Sequence, residues 1–184
     1  MKILDLGCGN AKYKGKPGDT VIGIDFYNTK KADVSWDLNK FPYPFKKNEF
    51  DMVVTSHVLE HLDDLVKVME ELHRITKPGG RIKIRVPHCS TAGAWTNPTH
   101  KRGFGLGTFN YFRVGSTEKY SPAEFKILKS RLMWKGESRY FPKFLRNFID
   151  WLVNLAPYQF ERYFVYYFGG FDEVTYELEV VKKR

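Results

Sequence analysis

The stretch that decides the fold is LDLGCGNA, residues 4–11. It places Gly7 and Gly9 directly after a short apolar run, where a strand can end in a tight turn. Small residues at such a turn let a ligand approach the backbone, whose N–H groups can then receive it. A second apolar run ends at Asp25, 20 residues after Asp5. Because an acid at that position can accept from both hydroxyls of a ribose, the pattern predicts a ribose-containing ligand.

Strand-like and helix-like stretches alternate through the first ~90 residues, which is the pattern of a doubly wound sheet. Apolar residues recur at helical spacing from Leu59 to Ile75, and this predicted helix ends at the KPGG turn, residues 77–80. The last run, EVTYELEVV, alternates and predicts a strand antiparallel to the others. The predicted strands are 2–6, 20–25, 32–36, 50–56, 81–86, 125–135 and 173–181.

The second half of the chain begins with a long stretch, 88–120, that is rich in Gly, Thr, Asn and Pro and has no clear period. It is too long for an idle connection, so we expect a functional loop region. Two helices are predicted after it. One carries the apolar residues from Phe144 to Leu155 and ends before Pro157, and the other is an aromatic segment over 160–168.

The composition is that of an ordinary globular chain, since 42% of the 184 residues are hydrophobic and 28% are charged. Two cysteines, Cys8 and Cys89, exclude a disulfide framework and fit a reducing compartment, so a cytoplasmic location is expected. No apolar run is long enough to predict a transmembrane segment. The first residues carry Asp5 and do not have the pattern of a signal peptide.

The net charge of +9 is concentrated in residues 101–146, where 11 Lys/Arg stand against 3 Asp/Glu, a net of +8. This patch predicts an anionic partner, which can be a phosphorylated small molecule, a nucleic acid or an anionic membrane surface. A solvated, solubilising face explains it equally well. Of the 30 aromatic residues, 19 lie between 101 and 168. They predict either core and lid, or a hydrophobic substrate pocket or membrane-surface helix around Phe144, Phe148 and Trp151.

Taken together, these motifs resemble the class I S-adenosylmethionine-dependent methyltransferases. The family's first motif matches LDLGCGNA, with Ala11 in place of the third glycine, and the acid that closes strand two matches Asp25. The acidic residue after strand three matches Asp37. The motif that follows strand four matches FDMVVTSHVLEHLDD, residues 50–64, and the KPGG turn precedes strand five.

The resemblance covers residues 1–86 almost continuously. It implies an α/β, Rossmann-like doubly wound sandwich with a seven-stranded, mostly parallel sheet and an antiparallel last strand. It also implies a single domain, 1–184, in which a cofactor-binding half precedes a substrate-side half, 87–184, with a basic loop and aromatic helices. Most members carry a helix before strand one, whereas this sequence begins in the strand itself, so either that helix is dispensable or the start is truncated.

The resemblance implies S-adenosylmethionine as the methyl donor and S-adenosylhomocysteine as the product. Asp5 would lie near the ammonium group, Asp25 would accept from the ribose hydroxyls, and Asp37 would accept from the adenine amino group. The Leu38 N–H would donate to a ring nitrogen, and Phe26 would flank the adenine. The residues expected to contact the cofactor are Asp5, Gly7, Cys8, Gly9, Asn10, Asp25, Phe26, Asp37, Leu38, Ser56 and His57.

Three histidines are candidate catalytic bases. Methyl transfer is an in-line displacement, and a base is needed only if the acceptor holds a proton. A histidine can serve as that base near neutral pH. His88 follows strand five at the ligand-binding end of the sheet, His100 lies in the long loop, and His57 opens the helix after strand four. Each can instead be a structural histidine. His73 is set aside because its spacing directs it to solvent.

The string HVLEH, residues 57–61, predicts a weaker metal site. It has the letters of an inverted zinc-protease motif, but it follows a cofactor-binding strand. It resembles more closely the ExxEH segment of some metal-dependent O-methyltransferases, with His57 in place of the first Glu. On the predicted helix, His57 and His61 share one face. The candidate ligands of a divalent cation are Glu60, His61 and His100, with His57 as a fourth.

The predicted function is methyl transfer to a small acceptor, anionic or linked to a lipid or glycan, preferentially at oxygen. The basic segment keeps an RNA methyltransferase as an alternative, although the tetrad of amino-group methyltransferases is replaced here by Ser56-His57-Val58-Leu59. Cys89 follows strand five near the nucleophile position of cytosine-5 RNA enzymes, but a small packing residue is the simpler interpretation. A non-catalytic, cofactor-binding partner subunit is the second alternative. The oligomeric state is left open.

Overall fold

A seven-stranded sheet organises the computed structural model, which describes residues 1–27, 29–118, 120–135, 141–167 and 170–182. The strands are β1 (Lys2–Leu6), β2 (Thr20–Asp25), β3 (Val34–Ser35), β4 (Phe50–Ser56), β5 (Thr76–Pro87), β6 (Glu124–Met133) and β7 (Glu173–Val181). The helices are α1 (Leu65–Ile75), α2 (Gly93–Thr96), α3 (Lys143–Val153) and α4 (Pro157–Gln159). A 3₁₀ turn spans Thr108–Phe112, and α4 continues into a π-helical turn, Phe160–Phe164.

The strand order is β3-β2-β1-β4-β5-β7-β6. Strands β1 to β5 pair in parallel, and β7 runs antiparallel to both β5 and β6. This confirms the predicted Rossmann-like, mostly parallel sheet with its antiparallel last strand. The direction of winding reverses between β1 and β4. The carboxyl ends of β1, β2, β4 and β5 therefore meet at the topological switch point, where open α/β sheets bind ligands.

One face of the sheet forms the core. Its fully buried apolar side chains pack against the buried side of α1, which includes Val68, Met69, Leu72 and Ile75. Burial of each such side chain stabilises the fold by about 1.5–3 kcal/mol. His73 also lies on this side, where its Nε2 is 2.8 Å from the carbonyl oxygen of Val181, so the expected solvent-facing position is wrong.

Helix α1 begins later than the hydrophobic spacing predicts. His57 adopts a φ of 56°, which no right-handed helix contains, and residues 59–61 form a turn. The helix starts only after Asp64, whose carboxylate accepts a hydrogen bond from the Lys67 N–H and caps the first turn. The prediction that His57 and His61 share a helix face is therefore wrong.

In the part of the chain that the structure describes, the sheet carries fewer helices on its faces than the doubly wound form predicts. Among the described residues, no helix connects β1 to β2 or β2 to β3. The face opposite the core is polar along β5, β7 and β6, where Lys83, Glu177 and Lys129 stand side by side in register. The alternation in RIKIRV thus reflects a strand with one solvated face.

Helix α3 lies along the edge of β6. The Asn154 side chain donates to the Leu132 carbonyl at 2.8 Å and accepts from the Leu132 N–H at 3.0 Å. Asp150 accepts from the Trp134 N–H at 2.8 Å. These bonds satisfy an edge strand that would otherwise expose its backbone. The second predicted helix, 160–168, is a shorter turn, and its last residue lies outside the described residues. Among the described residues, no helix is long and apolar enough to cross a membrane.

Candidate active site

The glycine-rich turn after β1 packs directly on the segment that follows β4. Gly7 and Gly9 have φ values of +72° and +50°, in the left-handed region that favours glycine. A Cβ atom on Gly7 would lie 2.2 Å from Cγ2 of Val58, whereas one on Gly9 would meet nothing within 4 Å. Val58 therefore leaves no room for a side chain at Gly7, whereas the space beside Gly9 is free for a ligand.

Asp25 ends β2 beside this turn. One of its carboxylate oxygens accepts from the Gly9 N–H at 2.8 Å, and the other accepts from the Tyr27 N–H at 3.1 Å. Two backbone donors thus fix the orientation of the carboxylate. An ionised carboxylate has about four acceptor positions, so each oxygen of Asp25 can accept a further hydrogen bond from a ligand.

Asp5 and Cys8 line the inner side of the turn. Asp5 is buried, and its carboxylate accepts from the Tyr13 N–H at 2.7 Å. Burial raises the pKa of the Asp5 carboxyl and of the Cys8 thiol above their ordinary values. Asn10 continues the turn on its exposed side. Their cofactor contacts stay predictions.

The residues expected around the adenine lie at the ends of β2 and β3. Phe26 is exposed and forms an edge-to-face pair with Tyr27, with 5.2 Å between the ring centroids. Asp37 accepts from the Asn39 N–H at 3.0 Å. Leu38 is buried, and its carbonyl accepts from the hydroxyl of Tyr43, so its backbone is fixed. These side chains lie at the ends of β2 and β3, and their contacts with a ligand stay predictions.

His57 stands at the end of β4, next to the exposed Ser56, between two carboxylates. Its Nε2 lies 3.0 Å from Oε1 of Glu173, and its Nδ1 lies 3.4 Å from Oε1 of Glu60. Chiefly the hydrogen bond to Glu173, and then the contact with Glu60, raise the pKa of His57 to about 9. The ring is consequently protonated at neutral pH, which argues against the predicted role of His57 as a base.

Glu173 links that ring to β5. Burial acts to raise the pKa of Glu173, but hydrogen bonds from His57 and Arg85 outweigh it and leave the pKa below its usual range. Arg85 binds the carboxylate through both Nε, at 2.7 Å, and an outer nitrogen, at 2.9 Å. His57, Glu173 and Arg85 thus form a charged row at the ligand end of the sheet.

His88 is buried at the end of β5 with both ring nitrogens occupied. Nδ1 lies 2.7 Å from the Ser90 hydroxyl, and Nε2 lies 2.9 Å from Oε1 of Glu161. Burial acts to lower the pKa of His88, but the Cys89 and Glu161 side chains outweigh it and raise the pKa to about 9. Neither nitrogen can take a proton from an acceptor, so the predicted base role of His88 is not supported. His88 links β5 to the turn after α4.

Glu60, His61 and His100 converge from two separate loops. One candidate ligand atom from each lies within 4.8 Å of the others. Glu60 is fully buried, and neither of its oxygens has a hydrogen-bond partner among the described residues. His61 Nδ1 is 2.9 Å from the Thr99 hydroxyl, and His100 Nδ1 is 3.2 Å from the Ala94 carbonyl. These contacts orient both rings and leave their Nε2 atoms as the nitrogens that can face a metal.

A cavity of about 500 Å³ extends from the turn across the polar face of the sheet. At the turn it is bordered by Asp5, Ala11 and Ser56, and on the sheet by Lys83, Arg85, Lys129 and Arg131. The cationic side chains come from two strands, β5 and β6, which flank β7. The cavity therefore offers positive charge beside the predicted cofactor site.

Comparison with known sequences matches residues 4–84 to a methyltransferase domain family. This match supports, over residues 4–84, the resemblance to the class I S-adenosylmethionine-dependent methyltransferases. A demethylmenaquinone methyltransferase of Lactococcus lactis is 30% identical over 125 residues, which are 58% of this chain and 48% of that protein. A 2-phytyl-1,4-naphtoquinone methyltransferase of Nostoc sp. is 31% identical over 102 residues, 44% of each chain. The matched part of this chain thus spans less than half the length of these curated relatives.

Solved structures with a similar fold cover almost the whole chain. A SAM-dependent methyltransferase from Archaeoglobus fulgidus has a TM-score of 0.58 at 17% identity, over 97% of this chain and 85% of that one. The [4+2]-cyclase SpnF has a TM-score of 0.61 at 15% identity, over 99% and 75%. Since one of these relatives in fold is named a cyclase, the class I methyltransferase fold does not by itself fix the reaction.

Sequence reasoning missed two acidic residues of this candidate site, Glu173 and Glu161. Glu173 is 116 positions away from its partner His57, and Glu161 is 73 positions away from its partner His88. No local pattern marks either acid. For Glu173, the order of the strands is the one available signal, because it brings the start of β7 beside the end of β5.

Proposed function

We propose that this chain transfers the methyl group of S-adenosylmethionine to an oxygen atom of a small, anionic acceptor. The observation that carries the proposal is the Asp25 carboxylate, fixed by the N–H groups of Gly9 and Tyr27 at the switch point of the sheet. That arrangement presents two oriented acceptors for a ribose diol beside an open glycine turn. It fits S-adenosylmethionine in the place where the family binds it.

The transfer itself breaks the bond between sulfur and the methyl carbon and forms a bond between that carbon and the acceptor oxygen. The sulfonium becomes the thioether of S-adenosylhomocysteine, and the acceptor loses its proton to solvent. Because the donor is already activated, positioning supplies much of the catalysis.

The acceptor class is supported by the cavity on the polar face, where Lys83, Lys129 and Arg131 can hold a negative group. The names of the quinone methyltransferases among the relatives also support a small-molecule acceptor. The basic segment is the observation that favours RNA as the second candidate. RNA binding would depend steeply on salt, because each phosphate contact releases counterions.

Two measurements test this function. Calorimetric titration with S-adenosylhomocysteine should show micromolar binding, and labelled S-adenosylmethionine should transfer its methyl group to hydroxyl compounds that carry a carboxylate or phosphate. Labelling of RNA instead would establish the alternative. Cofactor binding without transfer to either class would favour the non-catalytic partner subunit, and absence of binding would contradict the cofactor site.

We also propose that Glu60, His61 and His100 hold a divalent cation. The support is the buried Glu60 carboxylate, whose only charged neighbour is the half-exposed His57 at 3.4 Å, among the described ion pairs. A buried carboxylate without hydrogen bonds is costly unless it is paired or binds a metal, and Glu60 shares its one cationic neighbour, His57, with Glu173. One carboxylate and two imidazoles suit Zn²⁺ or Mn²⁺ better than Mg²⁺. A cation at this site would polarise an acceptor oxygen as a Lewis acid.

Glu60→Gln and His100→Ala are expected to abolish stabilisation by the metal. Saturation at about 100 times Kd should raise the unfolding free energy of the unaltered chain by about 2.7 kcal/mol. Thermal unfolding with MnCl₂ and with ZnCl₂ measures this shift, and Glu118→Gln, an exposed acid, is the matched control. Both site variants should keep their affinity for S-adenosylhomocysteine, and His100→Ala should lose turnover. An unchanged metal shift in Glu60→Gln would contradict the site.

A further inference from the structure

Helix α3 turns an apolar stripe towards solvent. The exposed fractions are 75% for Phe144, 56% for Phe148, 56% for Trp151 and 62% for Leu155. These residues recur every three or four positions, so they share one face of the helix. A helix of a globular protein normally directs such a stripe into the core.

The opposite side of α3 already attaches the helix to the sheet. Asp150 and Asn154 bind the backbone of β6 at Trp134 and Leu132, and Val153 is buried in the core. The outward stripe is thus not needed to hold α3 in place. Among the described residues, none covers this stripe enough to bury it.

Tyrosines of the next segment extend this apolar stripe. Tyr158, Tyr163, Tyr166 and Tyr167 are exposed, the last two by 86% and 83%. Tyr and Trp combine an apolar ring with a polar group, which suits the boundary between hydrocarbon and water. We refer to the following residues as the aromatic surface: Phe144, Phe148, Trp151, Leu155, Tyr158, Tyr163, Tyr166 and Tyr167.

Acidic and basic side chains of residues 141–167 differ in their exposure. Residues 141–167 contain two acids, Asp150 and Glu161. Asp150 points to the edge of β6, and Glu161 accepts from the Leu106 N–H at 2.6 Å and contacts His88. Lys143 and Arg162 are exposed instead. Among the described residues of this segment, the exposed charged side chains are therefore cations, which complements an anionic surface.

An apolar cavity lies behind the aromatic surface. It measures about 180 Å³ and is lined almost only by apolar atoms, including those of Trp134, Ile149, Leu152 and Phe171. Phe171 also packs edge-to-face against the ring of His88, with 5.5 Å between centroids. The inner face of α3 thus already borders apolar side chains, and the outward stripe is a second apolar face of the same helix.

We propose that this chain docks on anionic lipid bilayers through the aromatic surface, with α3 lying in the plane of the interface. The apolar stripe would enter the boundary of the acyl chains, and Lys143 and Arg162 would contact the headgroups. This surface is separate from the cofactor turn, so docking goes beyond the proposed methyl transfer and does not depend on it.

Vesicle sedimentation tests this docking directly. We expect binding to vesicles of phosphatidylcholine mixed with phosphatidylglycerol to be about tenfold tighter than to phosphatidylcholine alone, and weaker at high salt. The double variant F148S/W151S should lower the partition coefficient by about tenfold or more. Tyr120→Ser, which removes an aromatic residue that is 65% exposed elsewhere, should leave it unchanged.

Quenching of tryptophan fluorescence by the lipid is a second measurement, and a folding defect would not produce the same result. Phosphatidylcholine with brominated acyl chains, mixed with phosphatidylglycerol, should quench the emission of the unaltered chain, and Trp151→Phe should lose most of that quenching while still sedimenting with vesicles. Circular dichroism checks that each variant is folded. Titration with S-adenosylhomocysteine separates the two proposals, because F148S/W151S should bind it normally.

Three results would overturn the docking proposal. The first is failure of the unaltered chain to bind either kind of vesicle, and the second is equal vesicle binding by the unaltered chain and F148S/W151S. The third is a dimer of the unaltered chain, measured by light scattering, that F148S/W151S does not form, while neither protein binds vesicles. The last result would assign the aromatic surface to a second copy of the chain. Vesicle binding without any affinity for S-adenosylhomocysteine would overturn the proposed methyl transfer and leave docking in place.

Discussion

Asp25→Ala is expected to weaken the binding of S-adenosylhomocysteine by at least about tenfold, which corresponds to about 1.4 kcal/mol. The carboxylate is held by the Gly9 and Tyr27 N–H groups in the orientation that a ribose diol needs. Hydrogen bonds to a charged group contribute more than neutral ones, and their loss also releases the Gly9 turn. Isothermal titration calorimetry of the folded variant measures the change.

Asp19→Asn is the matched control for this prediction. Asp19 precedes the opposite end of β2, where it binds the terminal amine of Met1 and the Lys16 N–H. Its replacement alters a surface interaction of similar chemistry without touching the turn. An affinity of Asp25→Ala equal to that of Asp19→Asn would remove the ribose role from Asp25.

The strands were predictable where local signals coincide. The runs Lys2–Leu6, Thr20–Asp25, Phe50–Ser56 and Glu173–Val181 agree with the structure at both ends. Each is a short apolar or alternating run bounded by polar residues, glycine or proline. The third strand is shorter than predicted, and its two residues pair only with β2.

The start of α1 was not predictable from periodicity. Leu59 and Leu62 fit the helical spacing and are buried, yet both precede the helix, and Leu59 lies in a turn. Their burial comes from packing on the sheet, so apolar spacing continued beyond the real helix. The backbone geometry of His57 and the cap at Asp64 decide the boundary, and a hydrophobic pattern contains neither.

The candidate site likewise contains residues that local sequence signals predict and residues that only long-range contacts bring together. The glycine turn and Asp25 were predictable because 20 residues of strand and connection place them together in sequence and in space. The convergence of Glu60 with His100 depends on a hydrogen bond from the Lys101 N–H to the Glu60 carbonyl, which ties the long loop to the turn. The charge of His57 depends on Glu173, 116 residues away. Ligands and protonation states set by such long-range contacts need the tertiary structure.

Gly7→Ala is expected to lower the free energy of unfolding by roughly 3 kcal/mol, since two costs add. A residue with a side chain at φ +72° is strained, and its Cβ would lie 2.2 Å from Cγ2 of Val58. Gly9→Ala, at φ +50° with nothing within 4 Å, should show only the first cost, about 1 kcal/mol. Denaturation with urea measures both changes.

The double variant G7A/V58A isolates the steric part. Because Val58→Ala removes the two Cγ atoms that oppose a Cβ on Gly7, the cost of Gly7→Ala should fall towards that of Gly9→Ala when it is measured in the V58A background. A cost that stays the same in both backgrounds would show that Val58 does not confine the turn. If the coupling is found, the segment after β4 shapes the protein side of the glycine turn, and the open side at Gly9 is what remains for the cofactor.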